Sequence, residues 1–365
     1  MEHRGTHGGR APGRRHRGGG GQKPGPPTAT LRRGAVGRPA STSLGLGARG
    51  GEGRAPDAVR TAERPVLTKA DRPWTNVYGL ARTLLAVGTL LTLVSDSSER
   101  LFHPLLVDDP GIFDRSAIAG ASLFFLARNH LGMAKLLAVV VLLLVISGWR
   151  PRLTALPHWW ISYSFAASAS MIDGGDQIAA TLTLLLVPVA LTDSRRWHWS
   201  GIGTGGAVAS IVAQTGWMLV RVQMAVIYLF AAVLKFSSEE WANGTALFYF
   251  WRHTTFGPAG LLQPVTEWVG RSVLVVPLTW SVLLLELALA AALVAPSRFR
   301  ARLLPLALLF HAGIALIHGM PSFALAMGGG VLLYLRPARQ PFALPELLRR
   351  SMPRSAKTLD QTSIP

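Results

Sequence analysis

Apolar residues in this sequence are gathered into long, nearly uncharged runs, and that limits what the chain can fold into. Segments such as LLAVVVLLLVIS (136–147) and WSVLLLELALAAAL (280–293) belong to runs of 15–20 residues with almost no charge. About 20 apolar helical residues cross the roughly 30 Å hydrocarbon layer of a bilayer. Within that layer every backbone N–H and C=O must be paired internally, so only helices or closed barrels span it. The runs show no polar/apolar alternation, which leaves helices. The fold class expected is all-α, a polytopic integral membrane bundle of about eight transmembrane helices. The runs lie near 77–94, 131–147, 153–172, 178–191, 207–235, 273–295, 303–317 and 323–335.

Charge then orients the bundle. The chain carries a formal net charge of +18, and 15 of its 37 Lys and Arg residues fall in the first 72 positions. Most others stand beside the apolar runs, at 148–152, 192–206, 297–302 and beyond 335, whereas carboxylates concentrate at 95–130, 173–176 and 236–272. Basic residues stay cytoplasmic in polytopic proteins. Both termini are therefore expected inside and the acidic loops outside. The positive charge is assigned to topology, and no nucleic acid is expected as a partner; the partner is the lipid bilayer.

Residues 1–72, with stretches such as GRRHRGGGGQKPGPP, hold too little apolar surface to fold and read as a disordered cytoplasmic tail. An RNA- or lipid-binding arm is the alternative reading. No secretory signal follows the early arginines. Residues 73–340 form the membrane domain and 341–365 a short basic cytoplasmic tail. A short surface helix is expected near 116–126. The chain has no cysteine, which removes disulfides, thiolate metal sites and a cysteine nucleophile.

Polar groups placed in apolar surroundings mark the candidate site. The helix at 207–235 reads as the central one. Arg221, Tyr228 and Lys235 recur every seven residues along it and share one stripe, which should face away from lipid. A loop follows with Trp241, Asn243 and, further on, His253. Glu286 sits mid-span, where a carboxylate must be protonated, paired or hydrated; Arg221 is its expected partner. Asp173 and Asp176 bracket two glycines in a tight turn at the Lys235 end. They read either as a proton or metal site or as the polar turn of a helical hairpin. His311 and His318 lie near one helix face and suit packing or proton relay. Their spacing is too wide for an i, i+4 ligand pair, and no metal is expected.

The pattern Ile227-Tyr228-x-x-Ala231-x-x-x-Lys235-x5-Trp241-x-Asn243-Gly244-Thr245-Ala246 resembles the signature of the HTTM superfamily. That superfamily includes the vitamin K-dependent γ-carboxylases and a smaller bacterial group that matures a sporulation-delaying peptide toxin. In the carboxylases the matching lysine is the proposed base, or base partner, in vitamin K deprotonation. The sequence departs from them at Ile161, where a histidine of those enzymes would fall, and only 30 residues follow Leu335, where they carry a large lumenal domain.

The layout is closer to the toxin-maturation group. The resemblance implies a bacterial plasma-membrane protein that matures a small secreted peptide together with a second membrane protein. Lys235, Asp173, Asp176 and Glu286 would be the reactive groups. Tyr228, Trp241, Asn243 and His253 would be the substrate contacts, and Arg221, His311 and His318 structural or relay groups. No cofactor is required by the sequence; a quinone-using, carboxylase-like enzyme with Lys235 as base is one alternative. A transporter or structural partner is the other.

Overall fold

A computed structural model describes residues 73–102, 120–258, 260–338 and 340–342. The tail reading for 1–72 lies outside these residues, as do 343–365 of the tail read at 341–365 and 116–119 of the surface helix expected at 116–126, whose described part holds one helical turn at Leu123–Leu126. The described residues all belong to one compact unit, and they contain helices but no strands.

The larger helices are α1 (Asn76–Ser95), α4 (Leu131–Ser147), α5 (Pro151–Ser168), α6 (Gly174–Leu191), α7 (Ala207–Phe236), α11 (Val275–Ala291), α12 (Ser297–His318) and α13 (Pro321–Leu335). Short helices α2 (Ser98–Leu101), α3 (Leu123–Leu126), α8 (Glu239–Ala242), α9 (Ala246–Phe250) and α10 (Gln263–Arg271) lie between them. Helix α1, α4 with the turn before it, α6, α7 and α12 are long and apolar enough to cross a membrane. A sixth crossing results if α10 and α11, bent by 99° at a short break, are one broken span. Helix α13 has only 15 residues, roughly 22 Å at 1.5 Å per residue. Helix α5, with a basic residue, two prolines and several hydroxyls, is too polar for that class.

Local chemistry fixes the helix ends. Asp173 caps α6: its carboxylate accepts from Asp176 N (3.0 Å), and the Asp176 carboxylate accepts from Asp173 N (3.2 Å). Both ends of this capping box satisfy amides that the first turn leaves unpaired. Gly148 ends α4 at φ +84, and a Cβ there would lie 2.6 Å from the His198 ring. Pro151 then opens α5 at a position where the missing N–H is not needed.

The most enclosed helix is α13. Residues 326–335 are all buried, because Gly329 and Gly330 let neighbours approach closely. A Cβ on Gly329 would lie 2.9 Å from the Ala81 carbonyl of α1, and one on Gly330 would lie 2.6 Å from the Met224 sulfur of α7. Helix α7, expected at the centre, instead turns Val208, Phe230 and Leu234 outward, and α4 and α12 do the same with Met133 and Leu309. These exposed apolar faces suit lipid rather than water. Small residues, not length, decided which helix sits in the middle.

The two described ends of the chain meet. Asn76 and Phe342 exchange two hydrogen bonds of 2.8 Å, and the Thr75 hydroxyl donates to the Ala338 carbonyl at 2.8 Å. Gly203 N donates to the Trp74 carbonyl (2.8 Å), which sets the start of α7 beside the start of α1. Lys235 therefore lies at the far end of the bundle from these contacts.

Candidate functional site

At that far end, α6, α7, α8, α9, α11, α12 and α13 line an open cavity of about 400 Å3. Its lining is mostly apolar, from side chains such as Ile227, Phe250, Phe310 and Phe323, and its polar atoms come from a few groups. Lys235, in the last turn of α7, donates to Glu286 Oε1 on α11 at 2.6 Å and to the Ala231 carbonyl at 3.3 Å. Its ammonium also sits 5.3 Å from the Trp241 ring centroid, within cation–π range. The Lys235 side chain keeps 26% of its surface exposed and Glu286 only 6%. The pair thus reaches from the interior to the cavity wall. Glu286 Oε2 is buried and has no partner among the described residues.

Deeper in the same cavity, the Tyr228 hydroxyl and His311 Nε2 are hydrogen-bonded at 2.9 Å. Which atom donates depends on the imidazole tautomer. His311 Nδ1 is buried without a partner among the described residues, and Phe323 packs edge-on against the ring with centroids 5.8 Å apart. His318, one helix face along, meets the Phe256 carbonyl through Nδ1 at 2.6 Å. Six residues singled out in the sequence therefore converge on one cavity: Tyr228, Lys235, Trp241, Glu286, His311 and His318.

The others are placed elsewhere. Arg221 does not pair with Glu286, contrary to expectation; its Nη2 reaches the Leu293 carbonyl at 3.5 Å. Arg221 lies 14 residues before Lys235, about 21 Å back along α7 at 1.5 Å per residue, so Lys235 alone matches the depth of Glu286. Asp173 and Asp176 bond to each other in the α6 cap rather than to Lys235, and Asp173 also accepts from the Ser322 hydroxyl at 3.4 Å. Asn243 forms the loop turn before Thr245, accepting from the Thr245 amide and hydroxyl, with Gly244 at φ +84. His253 accepts from the amides of Thr255 and Phe256 through Nδ1; it holds Phe256, which lines the cavity. Both residues shape the loop beside the site. In the same loop Glu240 is exposed, and hydrogen bonds from the Ser238 hydroxyl and from its own backbone hold its carboxyl below the usual range.

The donor set limits what the site could hold. No three His, Asp or Glu side chains gather as metal ligands among the described residues. A lysine hydrogen-bonded to a buried carboxylate, with a tyrosine–histidine pair nearby, can pass protons or orient a polar group of a mainly apolar guest.

Two relatives place the chain. It is 37% identical over 276 residues to the sporulation-delaying protein SdpB of Bacillus subtilis, covering 73% of this chain and 83% of that one. The chain belongs to the SdpB family. A second relative, the uncharacterized protein YitO of Bacillus subtilis, is 41% identical over 273 residues, or 73% of this chain and 86% of YitO. No family model matches the chain, and no solved structure matches it.

The family is thus established at the level of SdpB. Sequence reasoning passed over Arg82, His158 and His198. Arg82 is an arginine inside the apolar run of α1, the same kind of signal that drew attention to Glu286.

Proposed function

We propose that this protein is a multi-pass membrane component for maturing a secreted peptide, and that the Lys235–Glu286 cavity is where it acts. Its similarity to SdpB over most of both chains supports the setting. The observation that carries the site is the convergence of a buried ion pair and a tyrosine–histidine pair on one apolar cavity. A peptide segment with apolar side chains would fill the aromatic walls, and its polar backbone would meet Glu286 and His311. In this reading Lys235 and Glu286 move or hold a proton during processing, a second membrane protein completes the maturation system, and the fold is the HTTM bundle.

The topology proposed is eight crossings in the bacterial plasma membrane, with both termini cytoplasmic, a folded domain at 73–340 and tails on either side. The contact between Asn76 and Phe342 supports placing both ends together, and the loop charges supply the direction. Cysteines introduced into this cysteine-free chain at Ser98 and Ser238 should react with an impermeant reagent on intact cells, and one at Ser194 should not. The reverse pattern would sink the orientation and move the cavity to the cytoplasmic side.

The functional reading is tested by deleting the gene in its own host and comparing the secreted peptides by mass spectrometry. A mature peptide that depends on this chain is expected; an identical product without it would overturn the reading. The apolar lining of the cavity also favours a second reading, a quinone-using enzyme in which Lys235 acts as base. Because Lys235 is hydrogen-bonded to Glu286, the base would be the pair rather than the lysine alone. Quinone in lipid extracts of the purified protein would favour that alternative.

A further inference from the structure

A second polar centre sits at the opposite end of the bundle. Arg82, on α1, is 1% exposed. Its Nη2 donates to the carbonyl and hydroxyl of Thr154 on α5, at 2.7 and 2.8 Å. Tyr78 stands one turn before Arg82 on α1, and His158 one turn after Thr154 on α5. His198 enters from the 192–206 connection, its ring edge-on to Tyr78 with centroids 6.4 Å apart and its Nε2 3.3 Å from the Thr83 hydroxyl. Tyr78, Arg82, His158 and His198 are all between 0% and 2% exposed. Among the described residues the Tyr78 hydroxyl, Arg82 Nη1, His158 Nε2 and His198 Nδ1 have no partner.

A guanidinium keeps its charge at any physiological pH, and an isolated buried charge is strongly unfavourable unless compensated. Among the described residues no carboxylate pairs with this one. The acidic group that acts on Arg82 is Asp193, and Asp193 is taken by Arg195, whose Nη2 and Nε meet its two oxygens at 2.7 and 2.9 Å. The described residues thus surround a permanent cation with further groups able to donate hydrogen bonds and supply no anion.

We infer that the Arg82 centre binds a small inorganic anion of halide size. Arg82 Nη1 is the charged donor, with the Tyr78 hydroxyl and ring N–H groups of His158 and His198 as further donors. Burial excludes a lipid headgroup or a nucleotide, whose remainder would need an opening. The anion satisfies the orphaned donors and ties α1, α5 and the 192–206 connection together.

The test uses the full-length protein in detergent, dialysed to equilibrium against bromide in a large excess of gluconate, an anion too bulky for the site. Bound bromide is then counted after denaturation. Wild type is expected to bind one bromide per chain with saturation, and folded Arg82→Gln to bind none. Tyr78→Phe keeps the charge and should weaken binding about fivefold, the loss of one hydrogen bond. If Arg82→Gln yields no folded protein, Tyr78→Phe and His158→Phe decide in its place. Absence of saturable bromide in wild type overturns the proposal and leaves water as the occupant. Unchanged affinity in the folded variants overturns it equally.

Discussion

The bundle has two polar centres, one at each end, and they handle buried charge in opposite ways. At the Lys235 end the cation has an acidic partner on the neighbouring helix, and the pair borders a cavity. At the Arg82 end the cation bonds, among the described residues, to a threonine carbonyl and hydroxyl, inside packing that leaves it 1% exposed. An ion pair is close to neutral overall, so it can sit beside empty volume and leave that volume for a guest. A lone guanidinium cannot, and its surroundings must supply compensation from something other than side chains. An open cavity beside a paired charge is suited to turnover, whereas a sealed cation is suited to holding three segments in place.

That contrast can be attacked from either end. The largest effect is expected from Lys235→Met, which strands Glu286 and should lower stability by about 3 kcal/mol. Adding Glu286→Met should recover most of the loss, because replacing both members of a buried pair with apolar groups is often near neutral. Thermal unfolding in detergent reads both. A double variant worse than either single would show that the pair organises the bundle.

The sealed centre should instead be acid-sensitive. Burial, with the Arg82 and Arg195 charges adding to it, pushes His198 well below its ordinary value of 6.5. The folded protein resists protonation there while the unfolded chain accepts it. Stability is then unaffected by His198 above pH 6.5 and falls as pH drops below it, by no more than about 1.4 kcal/mol per pH unit for one group. A pH series of unfolding midpoints should show this fall reduced in His198→Phe. An equal fall in both would place the acid sensitivity elsewhere.

Smaller changes sharpen the cavity side. Tyr228→Phe removes the hydrogen bond to His311 and should cost about 1 kcal/mol, while reducing activity if the pair relays protons. Glu240→Gln, on an exposed loop carboxylate, should leave the unfolding midpoint unchanged. A measurable shift would mean that the loop packs more tightly than its exposure implies.

Much of this was readable from residue type and position. Ionisable or aromatic groups inside apolar runs gave Tyr228, Lys235, Glu286, His311 and His318, and the structure gathers all five on one cavity. Periodicity places residues on a helix face but says nothing about how far one helix slides along another. Arg221 was therefore matched to Glu286 although Lys235 holds that depth. Asp173-Gly-Gly-Asp176 reads as a proton or metal site or as the polar turn of a helical hairpin, and the structure makes it a capping box. The burial of α13 depends on Gly329 and Gly330 meeting α1, α6 and α7, a contact that hydropathy does not register. The Arg82 centre joins residues 78, 82, 154, 158 and 198, and nothing local in the sequence brings His198 back over α1.

The most direct test of the Lys235–Glu286 centre is Lys235→Arg, measured as the yield of mature secreted peptide per folded protein in the membrane. Arginine keeps the positive charge and can still pair with Glu286, but it cannot give up its proton near neutral pH. If the pair moves a proton during maturation, the variant should insert and fold normally while peptide yield falls to background. Yield close to wild type would contradict this and leave Lys235 a positional charge at the end of its helix.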